Sequence, residues 1–183
     1  MIRSSADYKK YLSEDLNAFG LKKWRIWHGL KYTTLAWQRK LRTAEFMINC
    51  APRPIGLLFR LRVRAAGMKL GFSIPPNVFG PGLCIVHWGT IVVHDKAQVG
   101  PRCRIHPCTV IGAKYDLPPT MGSDCYVGPG AKVIGGIILG DRVVVGANAV
   151  VTKSFPSGSV LAGVPAKRLE KGRSIDSPKQ NDS

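Results

Sequence analysis

The chain has 183 residues, 45% of them hydrophobic, and 27 Lys/Arg against 11 Asp/Glu give it a formal net charge of +16. That length admits one domain with an appendage, and that apolar content is enough to fill a core. No run approaches the about eighteen apolar residues of a membrane span, and MIRSSADYKKYLSEDLNAFG lacks the apolar centre of a secretory signal.

The charge is uneven. Residues 1–70 hold 15 Lys/Arg against 4 Asp/Glu, and residues 71–183 hold 12 against 7. An anionic partner is expected near the N-terminal part: lipid headgroups or a phosphorylated substrate, with a solvated basic surface as the plain alternative. No recognised nucleic-acid module accompanies the charge, so no nucleic-acid partner is expected. The five cysteines, Cys50, Cys84, Cys103, Cys108 and Cys125, are odd in number and have neither CxxC nor Cys/His zinc spacing. They are expected to be reduced and structural, in a cytoplasmic chain, with the three inside the later repeat serving as small buried residues.

Residues 4–19 read as a helix capped by Ser5 or Asp7, with Tyr8, Tyr11, Leu12 and Leu16 on one face and Gly20 at its end. Residues 21–47 read as a longer helix or a broken pair, with Trp24, Trp27, Leu30, Leu35, Trp37 and Leu41 set among lysines and arginines. Pro52 and Pro54 break the chain. Residues 55–70 form another basic amphipathic helix, whose LLFRLRVR run is the candidate for touching a membrane surface. Residues 1–70 are thus a helical region, and GFSIPP (71–76) is its junction to the repeat.

From Val99 an aliphatic residue returns every six positions: Ile105 and Ile111, then Met121, Val127, Val133, Leu139, Val145 and Val151. Glycine usually follows it, and a small or β-branched residue stands four places on. Period six is the signature of a parallel β-helix, in which three hexads close one triangular coil and stacked coils bury a continuous aliphatic column. Two places break the phase. Stepping back from Val99 reaches Val93 and then His87, which does not suit an aliphatic column; ten residues rather than six separate Ile111 from Met121, with AKYDLPPT as the excursion. Irregular positions in a repeat are where function is carried. The β-helix is expected over 71–170 and a disordered polar tail over 171–183.

GLCIVHWGTIVVHDKAQVG, the hexads after it and the closing LAGVPAKRL resemble the serine acetyltransferase branch of the hexapeptide-repeat acyltransferases, over about residues 71–170. The helical N-terminus, with WQRKLRTAEFMINC running to KLGFSIPPNVFGPGL, is similar to O-acetyltransferases found among capsule and surface-polysaccharide enzymes. The resemblance implies a left-handed β-helix, a homotrimer, and acetyl-CoA held as acyl donor in a groove between neighbouring prisms. It also implies His87 as the catalytic base, set before GTIVV as the family's histidine is set before a similar run. A neutral imidazole suits the removal of a hydroxyl proton as the alcohol attacks a thioester.

By the same resemblance the position of the family's histidine-orienting aspartate is Ser73, the aspartate before the histidine is Val86, and an Arg-His pair that holds the amino acid corresponds to Leu117 and Pro118. A zwitterion needs charged partners, so these departures point to a sugar hydroxyl as acceptor, in surface or capsular polysaccharide synthesis and on a free or lipid-linked unit. Trp88 is then a stacking candidate and His106 a weaker acceptor-binding one, with an exposed bystander as its plainer reading. Cofactor contacts are expected from Gly112 and Ala113, from Pro129 and Gly130, from Ala147, and from the cationic end Thr152, Lys153, Lys167 and Arg168. The alternatives are a serine O-acetyltransferase of cysteine synthesis and a non-catalytic β-helix scaffold. No metal is expected: a γ-type carbonic anhydrase needs an HxxxxH spacing, and the intervals here run from 87 to 94 and from 94 to 106. Peripheral contact with the inner membrane face through the basic helices is the remaining partner expectation.

Overall fold

The computed structural model describes residues 1–169, so the disorder expected of 171–183 lies outside the described residues. The first helix, α1 (Ser5–Asn17), is capped by Ser4 rather than by Ser5 or Asp7: extended Ser4 accepts the Asp7 N–H at 3.0 Å. The next basic stretch is the broken pair, a single turn α2 (His28–Lys31) followed by α3 (Thr33–Cys50). Then α4 (Arg53–Met68) starts with Pro54 in its first turn, where a missing N–H leaves no bond unmade. Helices α3 and α4 pack against one another and on the first strand. Trp37 donates its indole N–H to the Val63 carbonyl at 3.3 Å and meets the Phe72 ring edge-on at 4.9 Å. At Gly67 the approach is so close that a Cβ would stand 2.9 Å from the Phe72 carbonyl oxygen.

From Phe72 the chain winds as a parallel β-solenoid of about five turns. The first face stacks Phe72–Ser73, Ile91–Val93, Thr109–Gly112, Lys132–Ile134 and Val150–Val151. The second stacks Gln98–Val99, Thr120–Met121 and Ile138–Leu139, with single bridges at Phe79 and Phe155. The third stacks Cys84–Ile85, Arg104–Ile105, Tyr126–Val127, Val144–Val145 and Val160–Ala162, closed by the antiparallel Lys167–Arg168. The period-six aliphatics face inward, and Ile105, Ile111, Val127, Val133, Val145 and Val151 are fully buried. Three residues after the inward aliphatic the backbone turns left-handed at Arg102, Cys108, Asp124, Gly130, Arg142 and Asn148, with φ between 55° and 72°. Cys108 is therefore an exposed corner residue and not one of the small buried ones, whereas Cys103 and Cys125 are buried as expected.

The first coil has no coil above it to accept and donate its ladder bonds, and α1 and α3 take that place. Gln38 donates to the Leu83 carbonyl at 2.7 Å and accepts the Ile85 N–H at 3.0 Å. Asp15 accepts the N–H groups of Gly82 and Leu83 at 2.8 and 3.0 Å, and Glu45 accepts that of Asn77 at 2.8 Å. Arg42, with no exposed surface, joins them: it donates to Asp15 at 2.8 Å, to Glu45 at 2.9 Å and to the carbonyls of Phe79 and Gly80 at 3.0 and 2.7 Å. Burial alone would lower the Arg42 pKa, but Glu45 and Asp15 hold it above its ordinary value, so the guanidinium stays charged. Its loss would strand two carboxylates in the interior. Replacing it, Arg42→Ala, is expected to cost about 3–5 kcal/mol, read as a lowered denaturation midpoint. An unchanged midpoint would mean that the cap does not hold the helices to the solenoid.

Candidate active site

The inward residues of the first coil run Phe79, Ile85, Val93, Val99; those below them run Val99, Ile105, Ile111, Met121. Ile85 pairs with Ile105 and Val93 with Ile111, so the corner between them is two residues longer in the first coil than in the second. His87 is thus not a failed hexad position. It sits in the 86–90 bend at the corner joining the third face to the first, pushed outward with Trp88 by those extra residues, and both are exposed. Gly89, with φ 140°, closes the bend by donating to the Leu70 carbonyl at 3.0 Å, which pins it beneath the end of the helical region.

His87 opens onto a cleft of about 1120 Å³ between the third face and the helices. Its floor is the outward ladder Cys84, Arg104, Tyr126; its far wall is the end of α1 together with Lys31, Tyr32 and Thr33. Trp88 is 69% exposed and lines the mouth, so it is not spent on packing against a helix. Arg102 is held by Asp124 through two bonds of 2.7 and 2.8 Å. Arg104, Lys31 and Glu14 have no ion pair among the described residues, so the cleft offers two free cations and one free carboxylate. Burial pushes the Cys84 thiol up, with Arg104 opposing, so it stays protonated near neutrality and does not suit a covalent acyl carrier. Arg104, Glu14, Tyr32 and Tyr126 were missed in the sequence. The hexad places Arg104 and Tyr126 outward, but nothing local says that helices stand opposite them.

The other histidines divide differently from expectation. His106 is half-buried rather than an exposed bystander: its ring lies 5.0 Å from that of Tyr126, and its Nε2 is buried without a hydrogen-bond partner among the described residues. His94 takes the Lys96 N–H at Nδ1, and His28 is caged edge-on by Trp24, Trp27 and Tyr32; both serve local structure. Ser73 is exposed on the first face opposite Val92 and forms no hydrogen bond with His87, so the structure does not bring the expected orienting pair together.

The expected cofactor residues fall on two edges. Pro129, Gly130 and Ala147 stand at the same corner as His87 in successive coils, linked by Gly130 N–H to the Pro107 carbonyl and Asn148 N–H to the Pro129 carbonyl. Gly112 and Ala113 stand at the other end of the first face, with Gly135 donating to the Gly112 carbonyl, and Thr152 and Lys153 follow on that edge. A three-residue strand of about 10 Å separates the two edges. The Ala113 N–H has no backbone acceptor among the described residues, which suits a ligand chain laid along that edge, while the side chains of Ile134 and Leu117 close over Gly112 and Gly136. Lys167 and Arg168 are exposed on the terminal antiparallel strand of the third face. Pro118 and the exposed Leu117 lie in the hairpin of the glycine edge, away from His87.

Residues 118–153 match the family described as bacterial transferase hexapeptide (six repeats). Over 108 residues the chain is 38% identical to a serine acetyltransferase of Helicobacter pylori (strain J99 / ATCC 700824), covering 56% of this chain and 63% of that one. It is 30% identical over 93 residues to the galactoside O-acetyltransferase of Escherichia coli (strain K12), covering 46% of each chain. The chain thus spans less than two thirds of the curated relatives it matches. A solved serine acetyltransferase in complex with CoA superposes with a TM-score of 0.73 at 23% identity, over 90% of this chain and 71% of that one. The solenoid is the left-handed β-helix of the serine acetyltransferase structures, and the resemblance to the hexapeptide-repeat acyltransferases holds.

The lowered pKa of His106 gives a pH prediction. Burial, then Arg104, then His87 push it below its ordinary 6.5, so the folded protein resists the proton that the unfolded chain takes up. The stability contribution is intact above pH 6.5 and is lost as the pH falls through the folded value. His106→Leu is expected to lose less melting temperature than the parent between pH 8 and pH 5, as read by thermal scans across that range; parallel curves would remove His106 from the balance.

Proposed function

We propose that this hexapeptide-repeat chain is an acetyl-CoA-dependent O-acetyltransferase in which His87 is the general base. The observation that carries the reading is the two-residue corner insertion that pushes His87 into the mouth of a cleft roomy enough for a small acceptor. In the reaction the acceptor hydroxyl attacks the thioester carbonyl as its proton passes to the imidazole. The tetrahedral oxyanion collapses, and the thiolate of CoA leaves and takes a proton back from the imidazolium. Cys84 stays protonated, and Cys125 is buried with its thiol turned to the Ser123 and Gly140 carbonyls, so neither thiol rivals this direct transfer as an acyl carrier.

The donor would lie along the edge at Gly112 and Ala113, with Thr152 and Lys153 beyond, and the Ala113 N–H is a candidate for steadying the oxyanion. In one chain that edge is a face-width from His87. The two sets meet only where the His87 edge of one prism is set against the glycine edge of another, an arrangement that closes on itself as a trimer. Pro129, Gly130 and Ala147 then continue the groove on the His87 side.

The relatives favour L-serine as the acceptor, and the cleft supports it in a way that the family motif does not anticipate: Arg104 suits a carboxylate and Glu14 an ammonium. The second reading is a sugar hydroxyl, on a surface-polysaccharide unit that is soluble or lipid-linked. It is favoured by exposed Trp88 at the mouth and by Val86, Leu117 and Pro118 where the family's serine-holding residues stand. Thiol release from acetyl-CoA with L-serine and with nucleotide sugars separates the two. His87→Ala is expected to lower turnover about 10²–10⁴-fold while acetyl-CoA binding is kept. Undiminished turnover in that variant would remove His87 as base. Turnover on sugars alone would establish the second reading.

A further inference from the structure

We propose that the outer face of α4 is a docking surface for an anionic lipid bilayer. The helix buries Gly56, Val63 and Gly67 against the rest of the molecule. Opposite that stripe, helical spacing aligns Leu57, Leu61 and Met68, which are 57%, 53% and 66% exposed, with Leu58 beside them at 46%. Arg53, Arg60 and Arg64 run along one flank of this ridge and Arg62 with Lys69 along the other. No Asp or Glu occurs anywhere from residue 46 to residue 94, and none of the five cations joins an ion pair among the described residues.

A water-facing helix is polar on its outer face, and a spanning helix is apolar all round. Helix α4 is neither, and no helix among the described residues is long and apolar enough to cross a membrane. An apolar ridge between two cationic rows is the pattern of a helix lying in the interface, with leucines among the acyl chains and arginines at the headgroup phosphates. Beside it a groove of about 400 Å³ has an apolar floor of Phe59, Val63 and Ala66 and a rim of Arg39, Lys40 and Arg62, suited to an anionic headgroup. A second copy of the chain would bring two such faces of like charge together, so the occupant is anionic.

The test is co-sedimentation of the full chain with vesicles of phosphatidylglycerol and phosphatidylcholine, against phosphatidylcholine alone. Binding to the anionic vesicles is expected to exceed that to neutral ones about tenfold and to fall at high salt. Leu57→Glu with Leu61→Glu, and separately Arg60→Gln with Arg64→Gln, are expected to abolish it with helicity, oligomer mass and acetyl transfer to a soluble acceptor unchanged. Equal binding to both vesicle types, no binding to either, or a double leucine variant that alters oligomer mass would overturn the proposal; the last would make the ridge a contact between copies. The vesicle readout is independent of acceptor and of catalysis, so this proposal and the acetyltransferase reading fail separately.

Discussion

A buried guanidinium holds the two halves of this molecule in register. A parallel β-helix pairs each coil with the coil above and below, so its first coil is an open edge of unpaired N–H and C=O groups. Here that edge is closed by side chains from helices. Arg42, Asp15, Glu45 and Gln38 satisfy the backbone at Asn77, Phe79, Gly80, Gly82, Leu83 and Ile85. An apolar plug would have filled the space and left those groups unbonded. The buried charges are tolerable because each carboxylate meets the guanidinium and at least one backbone N–H.

That lock has a chemical consequence. It fixes α1 and the α2–α3 turn over the third face, and their inner surface becomes the far wall of the cleft beside His87. The cleft is therefore a product of docking two kinds of structure, and neither could form it alone. It also explains the mixed charge there: Glu14 comes from the helical side and Arg104 from the solenoid.

The solenoid itself is rigid and repetitive, so an extra residue cannot be absorbed within a coil and must leave at a corner. Two extra residues at 86–90 present the imidazole, and four at 113–119 form a hairpin on the other edge of the first face. The regular coils between them set the spacing of the two edges. In the proposed reaction a groove built from both edges would need two prisms side by side.

The period of six, read without any structure, determined the solenoid, its inward column and the position of its irregular corners. The physical reason is that a repeat in which each coil buries the same column leaves no freedom of phase. The motif around His87 was legible for the same reason, as a break in that column, although the break is an insertion after Ile85 rather than a histidine standing in a hexad. The helices were legible as elements, but the role of Arg42 was not: among so many cations of the first seventy residues, nothing local marks the one that loses all contact with water. Likewise Ser73, expected to orient His87, pairs with Val92 on the first face and forms no hydrogen bond with that histidine, and His106 reads as outward while Tyr126 of the next coil covers it. Those outcomes depend on which surfaces meet across tens of residues. Hydrogen-bond satisfaction and burial decide that in three dimensions, and a one-dimensional period carries no record of it.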